Sequence, residues 1–122
     1  MNKQEIFDKV STHLATQGRR ARSGDDICVY RNSSGLSCAA GCLIPNELYD
    51  RGMEGDTINN LVERYPKLKE YLGEENIEMI HDLQHIHDTL YTNLYEEFSI
   101  IAKVYNLDMS VVNSLTFPTY WE

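Results

Sequence analysis

The stretch Ile27-Cys28-Val29-Tyr30-Arg31-Asn32-Ser33-Ser34-Gly35-Leu36-Ser37-Cys38-Ala39-Ala40 decides the fold class. Its two short runs of β-forming residues, 27–30 and 36–40, flank a turn-rich segment whose Gly35 suits a positive φ, and together they predict a β-hairpin over 27–40. The second run passes through Gly41-Cys42-Leu43-Ile44 into Pro45, which blocks further strand pairing and suits the first turn of a short helix to Tyr49. On the amino-terminal side, Asn2 as cap, Glu5 as capping-box carboxylate and Ile6, Phe7, Val10 and Leu14 at helical spacing predict a helix over 3–17 that Gly18 ends. The polar, partly basic link Arg19-Arg20-Ala21-Arg22-Ser23-Gly24-Asp25-Asp26 has the composition of an exposed loop.

On the carboxyl side, Asp56 or Thr57 caps a helix bearing Ile58, Leu61, Val62 and Tyr65, and Pro66 interrupts it and opens another that stops at Gly73. Asn76 caps a helix over 77–90. A break near Tyr91-Thr92-Asn93, with Thr92 as cap, precedes a last helix to about residue 105. The segment 109–122 is an apolar tail. The expectation is therefore α+β: one predominantly helical domain spanning 1–122, with one short β-hairpin and helices from about 56 to 105. Its core is expected to use Ile6, Val10, Leu14, Val29, Leu43, Leu61, Ile80, Leu83, Ile86, Phe98 and Ile101.

At 122 residues with 42% apolar content, the chain is long enough to bury a core without disulfides. Nineteen acidic residues against eleven basic give a net charge of -8, which opposes a phosphate backbone and argues against nucleic acid as partner. No window of about 18 apolar residues suits a membrane, and the start Met1-Asn2-Lys3-Gln4-Glu5 leads into a helical pattern rather than an export signal, so a cytoplasmic location is expected. The three cysteines are an odd number, which favours reduced thiols over a disulfide framework.

Several constellations could carry chemistry. His81 and His85 lie one helical turn apart, but with Glu78 and Asp88 they form the polar face of an amphipathic helix, and Asp82 stands where a zinc protease needs Glu. His87 projects instead among the apolar residues and is expected to be buried, with both ring nitrogens needing partners. Cys28, Cys38 and Cys42 with His87 make a Cys3His set of the kind that holds structural zinc, although the close CxxC pairs of zinc ribbons are absent; the alternative is three small core residues. A cysteine nucleophile with His87 or His81 as base has no supporting signature. Residues 100–115 have a helix-turn-helix outline, but Asp108 to Ser114 supplies no positive charge for DNA.

Two segments suit partner binding. Arg19, Arg20 and Arg22 are the only basic cluster and match a phosphate or an acidic surface, unless they merely solubilise a loop. Tyr120 and Trp121 in the tail either anchor a partner or a second copy of the chain, or dock on their own core; self-docking is the expectation.

The hairpin and its continuation read Cys28-Val29-Tyr30-Arg31, Gly35-Leu36-Ser37-Cys38-Ala39-Ala40-Gly41-Cys42-Leu43-Ile44-Pro45-Asn46-Glu47-Leu48-Tyr49 and Met53-Glu54-Gly55, followed much later by Asp82-Leu83-Gln84-His85-Ile86-His87-Asp88. This pattern resembles a group of small uncharacterised proteins common in tailed-phage and prophage genomes. It implies a viral origin and an accessory role inside an infected bacterium, and it carries over no functional residue. The functional expectation is a non-catalytic accessory protein that binds a host protein or a small defence-signalling molecule. The alternatives are a zinc-stabilised structural or regulatory module and, behind it, a DNA-binding regulator.

Overall fold

The computed structural model describes residues 1–25 and 27–122; Asp26, part of the expected basic loop, lies outside them. Helix α1, Lys3–Gln17, begins at the expected capping box: Glu5 N–H donates to the Asn2 side chain, and the Glu5 side chain accepts from the Asn2 N–H. Gly18 closes it at φ +78°, where other residues are strained. Thr57 caps α2, Ile58–Arg64, and Pro66 opens α3, Pro66–Leu72. Helices α4, Ile77–Asp88, α5, Leu94–Tyr105, and the short α6, Ser110–Ser114, follow. Helix α4 packs against α5, α1 and α2, while α6 packs against α1. One apolar cluster draws on residues from Ile6 to Trp121. No helix of the described residues is long and apolar enough to cross a membrane.

The expected α+β class is wrong: the described residues form an all-helical protein without a sheet. In place of the hairpin over 27–40 there are two isolated bridges, Arg22 with Cys28 and Arg31 with Ser37. The reason is where the backbone amides go. Tyr30 and Arg31 N–H donate to the Glu54 carboxylate (2.8 and 3.1 Å), Ser37 N–H to Gln17 Oε1 (3.0 Å), Leu36 N–H to Asn32 Oδ1 (2.9 Å) and Ala40 N–H to Gln84 Oε1 (2.9 Å). Side chains therefore satisfy donors that a strand would have used, and no ladder propagates. The chain instead turns through a 3-10 segment at Gly41–Leu43, where a Cβ on Gly41 would overlap the Tyr30 carbonyl oxygen.

Smaller corrections have local causes. Asn76 does not cap α4; it is buried and donates to the Leu72 and Met1 carbonyls. Asn93 rather than Thr92 caps α5 by accepting from Glu96 N–H, and α4 ends at Asp88, two residues short of Leu90, which is exposed. Of the expected core, Val29 is only half-buried and the others are buried.

Leu83 and Phe98 are fully buried, so Leu83→Ala or Phe98→Ala is expected to cost about 2 to 5 kcal/mol in urea unfolding. Gly41→Ala should cost about 3 kcal/mol, the upper end for overpacking, because backbone rather than a mobile side chain occupies the space. A wild-type midpoint for Gly41→Ala would place the Tyr30–Gly41 contact elsewhere.

Candidate functional site

The end of α4, the arginine loop and the tail meet at His87. The α4 periodicity turns His87 inward, and its side chain is fully buried. Ala21 N–H donates to His87 Nε2 at 3.0 Å, and His87 Nδ1 lies 2.8 Å from Asp88 Oδ1. An amide can only donate, so Nε2 carries the lone pair and Nδ1 carries the proton that reaches Asp88. Burial holds the His87 pKa below its ordinary 6.5, with Asp88 pulling it the other way, and the ring is neutral.

Trp121 seals this corner. It is fully buried, its Nε1–H donates to the His87 carbonyl at 2.8 Å, and its ring meets the imidazole edge-to-face at 5.8 Å. The tail thus docks on its own core, and Phe117 stacks on Phe98 behind it (5.7 Å between centroids). Of the two tail residues considered as anchors, Trp121 is inaccessible to a partner, whereas Tyr120 is exposed.

Of the four expected metal candidates, the fold brings together only Cys28 and His87, and it adds Asp88; these three ligand atoms lie within 4.8 Å of one another. Cys38 and Cys42 are occupied locally, Cys38 Sγ accepting from Gly41 N–H (3.2 Å) and the Cys42 thiol donating to the Ala39 carbonyl (3.1 Å). Burial raises both thiols, Cys42 to about 12. The Cys28–His87–Asp88 group does not fit a metal. A metal on Nδ1 would force the ring proton onto Nε2, directly against the Ala21 N–H, and the Arg20 guanidinium, whose Nη1 donates to Cys28 Sγ at 3.3 Å, sets a cation beside the thiol.

The same geometry bears on nucleophilic chemistry. A Cys-His-Asp relay needs a free Nε2 lone pair facing the thiol, and here the Ala21 amide holds it. Burial, and after it the Asp88 carboxylate, raises the Cys28 pKa against the opposing effect of Arg20, so the thiol stays protonated. His81 and His85 are exposed on α4, as the polar-face reading expects, and line a cavity of about 330 Å³ with Cys28, Glu54, Asp56 and Asp88. Each of those carboxylates is engaged: Glu54 by the loop amides, Asp56 by Arg64 and Asn60, and Asp88 by Gln84 and His87.

The basic cluster is divided. Arg19 and Arg22 are exposed, but Arg20 is buried, contrary to the exposed loop that its neighbours' composition predicts. The roles of two residues escaped the sequence reading, which placed Asp88 only on the polar face of its helix. Gln84 joins loop to helix, and Asp88 fixes the His87 tautomer; the available signal was a carboxylate directly after a histidine that helical phase buries.

Two measurements follow from this corner. The unfolded chain binds a proton at His87 near pH 6.5 and the folded chain only below that, so stability should be full above pH 6.5, fall as the pH drops below it and level off under the folded value. Thermal melts at pH 7.5 and about 5.5 should show a drop that His87→Gln reduces; an equal drop in both proteins would assign the effect elsewhere. Deleting residues 117–122 should lower the melting temperature by several degrees, and the emission of Trp121 in the intact protein should be blue-shifted and poorly quenched by iodide.

In comparison with known proteins, the chain matches no protein family, no curated protein and no solved structure.

Proposed function

We propose that the protein is a phage-type accessory protein that binds a host protein without acting chemically on it, and that Tyr91 and Tyr120 form the contact. The observation that carries this reading is the backbone of Tyr91. It sits at φ +59°, a left-handed conformation that costs a bulky residue about 1–2 kcal/mol, yet its side chain is 68% exposed. Tyr91 N–H donates to the Trp121 carbonyl at 2.8 Å, so the buried tail residue holds the strained turn in place. The Tyr120 ring, 67% exposed, meets the Tyr91 ring edge-to-face at 6.3 Å, and Leu90 beside them is exposed as well.

The bond to Trp121 uses only the Tyr91 backbone, so it does not call for an exposed ring there, whereas rigid tyrosines are the residues on which protein interfaces concentrate their binding energy. Exposed Asp88 and Glu122 adjoin the patch in sequence and the chain carries -8 overall, so the complementary partner surface is basic. At the His87 corner both ring nitrogens of the histidine and the sulfur of Cys28 are already engaged, which favours a binding role over a catalytic one.

The full chain is used as bait in a bacterial lysate beside three variants. Tyr91→Gly removes the ring while glycine accepts the positive φ, so its stability should stay within about 1 kcal/mol of the parent. The reading expects a captured protein that Tyr91→Gly and Tyr120→Ser each lose, that Arg19→Ser keeps, and that added salt releases. Capture unchanged by both tyrosine variants would refute it.

A further inference from the structure

Arg20 is the side chain that the fold leaves incomplete. It is 6% exposed, its Nε has no hydrogen-bond partner, and Nη1 has only the sulfur of Cys28, a weak acceptor. It forms no ion pair with a carboxylate among the described residues. Asp88 makes no ion pair with Arg20; its Oδ1 accepts from His87 Nδ1 and from Gln84 Nε2. A guanidinium keeps its proton at any physiological pH, so burial cannot neutralise it as it would a lysine or an acid. Buried charges are otherwise paired, and an orphan donor of this kind calls for a missing acceptor.

Arg20 also lines a cavity of about 390 Å³, together with Arg19, Arg22, Ser23, Gly24 and Ser34. Its volume lies within the range of small-ligand sites and far exceeds the space of one water. The loop that carries the arginines is pinned at successive residues: Gln17 Nε2 donates to the Arg19 carbonyl (2.7 Å), Ala21 N–H is held by His87 (3.0 Å), and Asn32 Nδ2 donates to the Arg22 carbonyl (3.0 Å). Three arginines are thereby held on a short, fixed stretch of a chain whose net charge is -8. Arginine side chains gathered at one cavity of an acidic protein suit a local anion rather than a long polyanion such as DNA.

We infer that the Arg20 cavity is a binding site for the phosphoryl group of a small phosphorylated molecule. A phosphoryl group brings up to two negative charges and three acceptor oxygens, enough to meet a buried guanidinium and an exposed one at once, which a single carboxylate does less well. The site is independent of the tyrosine patch, and either assignment stands if the other fails.

The test is titration of the full chain at constant ionic strength with inorganic phosphate, with adenosine monophosphate and with adenosine, followed by the Arg20 Nε–H resonance and by the melting temperature. Both phosphates should shift the Arg20 signal saturably and raise the melting temperature, and adenosine should do neither. Equal affinity for the two would identify the phosphate group itself as the ligand, and tighter binding of the monophosphate would identify a nucleotide. Arg20→Met should abolish the response; if that variant fails to fold, the exposed Arg19→Glu, which leaves the buried side chain in place, should weaken phosphate binding about tenfold. No saturable shift up to tens of millimolar phosphate, or unchanged affinity in Arg19→Glu, would overturn the assignment.

Discussion

The backbone between Gly18 and Thr57 has to find hydrogen-bond partners with no regular helix or sheet to supply them, and the fold depends on how it does so. An amide buried without a partner costs about 1–3 kcal/mol, so a long irregular segment over a core is stable only if side-chain acceptors reach its amides. Gln17 at the end of α1, Glu54 before α2, and Gln84 and His87 on α4 are those acceptors. Gln17 comes from α1 and Gln84 and His87 from α4, so the loop ties these two helices together instead of merely covering them. Arg31 adds to this by donating to the Ile44 carbonyl and the Asn46 side chain and lying over the Tyr49 ring.

This explains which parts of the structure could be read from the sequence. The α1 capping box, the Pro66 start and the Gly73 stop are encoded within a few residues, and each is found. The inward turn of His87 follows from helical phase alone. The hairpin fails because strand propensity in 27–30 and 36–40 is also local, whereas the competing acceptors Glu54 and Gln84 lie 23 to 44 residues further along the chain from the amides they hold. Arg20 fails for the related reason that burial depends on what packs over a loop: composition marks 19–26 as solvent-facing, and nothing local reveals that Ala21 docks on a histidine 66 residues away.

The His87 corner also shows why residue types alone do not define chemistry. A cysteine, a histidine and an aspartate stand within 4.8 Å, the membership of both a hydrolase relay and a metal site. The direction of one backbone N–H separates those possibilities from the one present, because Ala21 takes the lone pair that either chemistry requires. The imidazole therefore serves as a joint between α4, the arginine loop and the tail. Two features around it stay unfavourable for the fold: the left-handed turn at Tyr91 and the buried, unpartnered Nε of Arg20.

The docking of Trp121 also has a consequence for the order in which the molecule can be made. The ribosome delivers α1, the loop and α4 well before it delivers residue 121, so the His87 carbonyl and the apolar surface around it stay open until the indole emerges. Until then the Tyr91 turn lacks the carbonyl that holds it. A nascent chain should accordingly collect most of its helices early and become sealed only once residue 121 has emerged, with the aromatic patch assembled at that same point.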